Sequence, residues 1–216
     1  SRNFGPWEGG EGQVLTQYVR ANLLMAQQAL SDGNASTAVA LLELAANPPQ
    51  NLSEAKHLLM NLSMIDYWMG VALAATGDTA HSIRALERAA NQKGDFQQMQ
   101  VQSISETTYW TATALRALGR EQAASELFLA IDVYASKLES ETPKIDYFAT
   151  SLPAMLLFEE DLQERQNITA RFLHAQAQLG LGNKKQAKHL LEAVLTKDRS
   201  HAGAVDLLAT LSAEED

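Results

Sequence analysis

The chain has 216 residues with 17 Lys and Arg against 26 Asp and Glu, a formal net charge of −9 and no cysteine. These numbers exclude disulfides and thiolate-held metals, and the scattered cations form no basic stripe of the kind nucleic acid requires. Aromatics make up only 6% of residues and proline is scarce, which is the composition of an all-α protein.

No apolar run approaches the ~20 residues of a membrane span and no secretory leader is read, so a cytoplasmic location and no membrane partner are expected. The opening Ser1-Arg2-Asn3 has no methionine, and a piece of a longer protein is expected. Residues 1–12, SRNFGPWEGGEG, read as a glycine-rich lead-in anchored by Trp7. From about residue 13 to 31, Leu15, Val19, Leu23, Ala26 and Leu30 recur at helical spacing. Asp32-Gly33-Asn34 turns the chain into a partner helix bearing Ala38, Leu41, Leu42 and Ala45 on one face. Asn47-Pro48-Pro49 ends it, because proline has no amide to donate and keeps the preceding residue out of the helical region.

Ser53 is a candidate N-cap for a long helix to about residue 76, paired with one over about 79–90. A second long helix is expected from about 96 to 118, then Gly119-Arg120 and a partner over about 122–138. The stretch at about 139–158 breaks this rhythm with Pro143 and Pro153. Its Ile145, Tyr147, Phe148, Leu152, Met155, Leu156, Leu157 and Phe158 need burial, so it is expected to be an ordered insertion lying on the array. A fourth pair over about 160–181 and 184–196, and a last helix over about 202–212, complete a helical domain spanning 13–213. The polar AEED end suits a terminal cap.

Aligning the turns by Gly33, Gly77, Gly119 and Gly182 exposes a repeat. Seven residues before each lies Ala26, Gly70, Ala112 or Ala175; five after lies Ala38, Ser82, Ala124 or Ala187. Nine after lies Leu42, Leu86, Phe128 or Leu191, and twelve after lies Ala45, Ala89, Ile131 or Val194. Small residues fixed on both helices let two backbones approach, with one large side chain filling the gap.

This pattern resembles the tetratricopeptide repeat, a helix–turn–helix unit with small residues at these offsets around a glycine turn. The resemblance implies a right-handed α-solenoid of about four helix hairpins plus a C-terminal capping helix. The turns lie 44, 42 and 63 residues apart, against ~34 in the family. The extra residues are expected to extend the first helices at their N-termini, and the largest spacing reflects the insertion. The column where the family often has Tyr holds Ala29, Leu73, Leu115 and Gln178. More narrowly, GPWEGGEGQ, IDYFATSLP and LGLGNKKQA resemble the C-terminal helical part of large bacterial proteins. In those proteins such repeats accompany a mutarotase-like β-sandwich linked to carbohydrate metabolism, a domain this sequence does not contain.

In the repeat family, the position held here by Leu23, Tyr67, Tyr109 and Phe172 lines the concave groove. With Gln27, Val71, Thr113 and Gln176 one turn on, and Arg116 and Arg20 nearby, it makes a candidate surface for an apolar or extended segment. The alternative is that these rings pack against the insertion, the lead-in or neighbouring helices. The family's Lys/Asn clamp for acidic C-terminal peptides is missing. The matching places hold Arg20, Leu23 and Gln27, then Met64, Tyr67 and Val71, then Glu106, Tyr109 and Thr113.

No catalytic set is read. Glu8 with Glu11 falls in the lead-in, and Glu159-Glu160-Asp161 falls where a helix begins and meets the helix dipole favourably. His57, His81, His174, His189 and His201 show no metal-ligand spacing, and His174 falls in a core-facing column. No phosphate loop is present. The expected function is therefore a non-catalytic interaction or scaffold domain with no cofactor. Its partner would be a protein or peptide segment, including the rest of its own polypeptide. A free-standing peptide adaptor, a sugar-acting enzyme or accessory part completing a carbohydrate-active site, and self-association remain open.

Overall fold

The computed structural model describes residues 13–52, 60–97, 100–143 and 162–213. The lead-in with Glu8 and Glu11, the candidate cap Ser53 and most of the 139–158 stretch lie outside these residues. Nine α-helices are described: α1 Gln13–Ser31, α2 Ala35–Ala46, α3 Ser63–Ala75, α4 Thr79–Ala90, α5 Thr108–Ala117, α6 Glu121–Ser140, α7 Leu162–Gly180, α8 Lys184–Lys197 and α9 Ala202–Ala213. A 3-10 turn at Gln50–Leu52 follows α2. A two-stranded antiparallel hairpin, β1 Asp95–Gln97 and β2 Gln100–Gln102, precedes α5.

Each helix packs against its neighbours in sequence, and the odd-numbered helices also meet one another: α1 on α3, α3 on α5, α5 on α7. That is the geometry of stacked hairpins with the first helix of each pair on the inner side. It is a tetratricopeptide-like array, built as the repeat predicts.

Every position in the repeat columns is buried. Ala26, Ala112, Ala175, Ala38, Ala124 and Ala187 have no exposed surface, and Gly70 and Ser82 are buried beside them. Leu42, Phe128 and Leu191 fill the gaps, each worth roughly 1.5–3 kcal/mol relative to exposure. The four turn glycines have φ between 75° and 87°, a region that L side chains rarely enter. Each turn closes a Schellman motif: Gly77 N–H donates to Ala74 O and Asp78 N–H to Leu73 O, both at 3.0 Å. In the second unit Ser82 Oγ donates to Gly70 O at 2.7 Å, welding the hairpin at its closest approach.

The expected N-terminal extension of the first helices is seen in α1 and α7 and requires correction in α3 and α5. α1 and α7 are long, at 19 residues each, but α3 has 13 and α5 has 10. The helix expected from residue 53 begins at Ser63, after a non-helical 60–62. The helix expected from residue 96 begins at Thr108, behind the hairpin. The reason is a polar knot around Asp95, which is buried at 6% exposure. Its carboxylate accepts from Ser105 Oγ at 3.1 Å, Thr107 Oγ1 at 3.4 Å and Asn61 N–H at 3.4 Å. Asn61 Nδ2 donates to Gly94 O and Ser63 Oγ to Thr107 O. These bonds tie the hairpin's base to the starts of α3 and α5 and outweigh the helix propensity of the glutamine-rich sequence.

Candidate functional site

The residues expected to line the inner groove divide into two groups. Leu23 is 4% exposed and joins a core cluster with Ala26, Leu42 and Ile65. Tyr109, at 8%, stacks edge-on against Trp110 at 5.1 Å and lies 5.7 Å from the Phe128 ring. Phe172, at 1%, sits under Gly203 of α9 and against the His201 ring at 4.5 Å. Tyr67 is half-buried between Trp68 and Trp110, both at 5.4 Å. The aromatic ladder is thus mostly core, because the rings are drawn into the seams between helices and beneath α9.

Arg116 is likewise committed. It donates to Glu121 on α6 and to Gly180 O on α7 at 2.6 Å, and its guanidinium lies 5.0 Å from the Phe128 ring centroid. Thr113 Oγ1 bonds back to Tyr109 O within α5, and Val71 is half-buried. None of these lines the inner pocket.

What the odd-numbered helices do bring together is a pocket of about 120 Å³. α1 supplies Gln27, α3 supplies Met64, and Glu106, Thr107 and Trp110 come from the start of α5. Phe172 and Gln176 come from α7, and Gly203, Asp206, Leu207 and Thr210 from α9. The inner face is closed by α9. Arg20 on α1 donates through Nε to Asp206 Oδ2 at 3.0 Å and through Nη2 to Oδ1 at 2.7 Å. This bidentate pair joins residues 186 apart in sequence, and it holds the first and last described helices together.

Three of the nine expected residues, Gln27, Phe172 and Gln176, therefore reach the pocket. Met64, Glu106 and Arg20 occupy places of the family's clamp that this sequence does not keep, and Arg20 also stands near the groove positions. All three stand one helical turn before the ladder residues, and that column was the usable signal. Asp206 carried none, since its position depends on the curvature of the whole array.

Two features of the pocket are electrostatic. Gln176, 2% exposed, donates from Nε2 to Glu106 O at 3.0 Å, and its Oε1 has no hydrogen-bond donor among the described residues. The carbonyl it faces fixes the orientation of this amide, because a flipped amide would set two oxygens against each other. Burial raises the Glu106 pKa above its ordinary 4.5, with His201 lowering it and Asp95 raising it further. His201 Nε2 lies 4.0 Å from the Glu106 carboxylate.

His174 is a satisfied, largely covered side chain, with Nδ1 at 2.7 Å from Asp132 Oδ1. Among the described residues no group of three His, Asp or Glu side chains is arranged to hold a metal ion, and no helix is long and apolar enough to cross a membrane.

Two solved structures are similar over most of their length. One is a MamA RS-1 ArsTM double mutant, at 15% identity over 92% of this chain and 85% of that one, with a TM-score of 0.30. The other is MamA 41-end from Desulfovibrio magneticus RS-1, at 14% identity over 92% and 86%, with the same TM-score of 0.30. No family model matches the sequence.

Proposed function

We propose that the chain is a non-catalytic protein-interaction module whose inner face holds a segment of a partner polypeptide. The observation that carries this reading is the convergence of all five odd-numbered helices on one small, half-open pocket. The small-residue columns, by contrast, are spent on stacking. Clefts between helices of an array are where such folds present extended binding surfaces. The sequence resemblance supports the same role inside a larger protein. The link to carbohydrate metabolism rests on that resemblance alone, and the remainder of the same polypeptide is one partner it suggests.

A random peptide library selected on the full chain tests this. Selected peptides should bind the native protein and lose at least tenfold, about 1.4 kcal/mol, against Gln27→Arg with Met64→Arg, which fills the pocket from two helices. The circular dichroism of that variant should be unchanged. Equal binding to the filled variant would place the interaction surface elsewhere.

A further inference from the structure

The pocket has an unanswered demand for hydrogen-bond donors. Gln176 Oε1 is buried and has no hydrogen-bond partner among the described residues, and Glu106 lines the same pocket with His201 Nε2 4.0 Å from its carboxylate. Arg20 gives its Nε and Nη2 to Asp206, which lines the pocket, so these two donors are already taken. An unpaired buried acceptor costs about 1–3 kcal/mol, and a ligand that brings a donor to it offsets that cost. The other walls are apolar: Met64, Trp110 and Leu207. A long basic side chain matches both halves, with an alkyl stem that lies on apolar surface and a charged, donor-rich head. An indole face adds attraction for a cation, and the net charge of −9 draws a basic segment towards the protein.

We propose that this pocket receives the basic side chain, lysine or arginine, of an extended partner segment, with the stem against Met64, Trp110 and Leu207 and the head at Glu106 and the Gln176 carbonyl. The assignment rests on the reading of the inner face as a protein-binding surface, and it names the chemistry that surface selects. It is opposite in sign to the clamp for acidic C-termini, whose residues this sequence lacks.

Four acetylated, amidated pentapeptides with Lys, Arg, norleucine or Glu between alanine pairs are the probes, titrated into the full chain and followed by amide and indole NMR. The Lys and Arg peptides should shift the Trp110 indole and the Gln27 side-chain amide saturably, and bind at least tenfold more tightly than the norleucine peptide. The Glu peptide should not bind there. Glu106→Gln, which keeps size and removes charge, should weaken the Lys peptide tenfold or more, and Gln176→Leu should do the same. If Gln176→Leu does not fold, Glu106→Gln decides alone. Norleucine binding as tightly as lysine at the same resonances would overturn the basic assignment and leave the inner-face reading standing. Shifts with no peptide at all would also overturn it, and the library selection then decides the inner-face reading separately. Undiminished Lys binding to Glu106→Gln would overturn it as well.

Discussion

At the scale of single residues, close approach between helices depends on the atoms a residue lacks. A Cβ built on Gly180 would come within 2.2 Å of two atoms of the Phe128 ring. That ring is fully buried, flanked by Tyr109 and capped by Arg116, so it cannot step aside. Alanine in a helix is intrinsically favoured over glycine by about 1 kcal/mol, but overpacking costs typically 1–3 kcal/mol and more against a fixed ring. Gly180→Ala should therefore lower stability in urea by about 1–2 kcal/mol net, and Phe128→Leu in the same chain should make the two changes non-additive. A Gly180→Ala protein as stable as the parent would show that the ring has room the packing does not display.

Glu106 runs the other way. Its folded pKa is raised by burial, so the native state holds a proton more tightly than the unfolded chain. Stability then falls as pH rises from the unfolded value near 4.5 up to the folded value, and the full penalty applies above that. Glu106→Gln should consequently raise the melting temperature at pH 7–8, with the gain shrinking to nothing below about pH 4.5. A variant that gains stability while losing affinity for a basic peptide would mark Glu106 as a binding residue retained at a structural cost.

At the scale of elements, the sequence declared the helix hairpins through their turns. Glycine was needed at Gly33, Gly77, Gly119 and Gly182 because each turn enters the left-handed region, and a requirement that strict leaves a mark at a fixed offset. The starts of α3 and α5 were not legible in the same way. Strands of three residues are too short to show alternation, and the glutamine-rich run around them has ordinary helix propensity. The signal was Ser105 and Thr107-Thr108: Ser105 N–H donates to Thr108 Oγ1 at 2.9 Å and Ser105 Oγ reaches the Asp95 carboxylate. Hydroxyl side chains that offer the backbone such partners begin helices rather than continue them. Asp95 falls between the two helices expected from the sequence, and nothing local marks its role, since its partners arrive from Asn61 and Thr107 through tertiary structure.

At the scale of the whole molecule, curvature decides what the inner face becomes. Sequence spacing relates the groove positions along one helix at a time, but five inner helices curl until α9 covers Phe172 and reaches α1. Besides the packing of α9 on α8 and of Gly203 on Phe172, the Arg20–Asp206 pair is the tie across this closure. Its side chains are only 31% and 18% exposed, and bidentate guanidinium–carboxylate geometry favours it over an ordinary surface pair. Arg20→Asp sets two carboxylates against each other there. It should raise the radius of gyration in small-angle scattering and speed amide exchange in α9, with a loss of local protection of about 1–2 kcal/mol. Adding Asp206→Arg to that variant reverses the pair and should restore both readouts. High salt should mimic the single change only in part, because a partly buried pair is screened less than an exposed one. If α9 exchanges at the parent rate in Arg20→Asp, then its packing on α8 and over Phe172 is sufficient to close the array, and the ion pair only decorates a closure made by apolar contact.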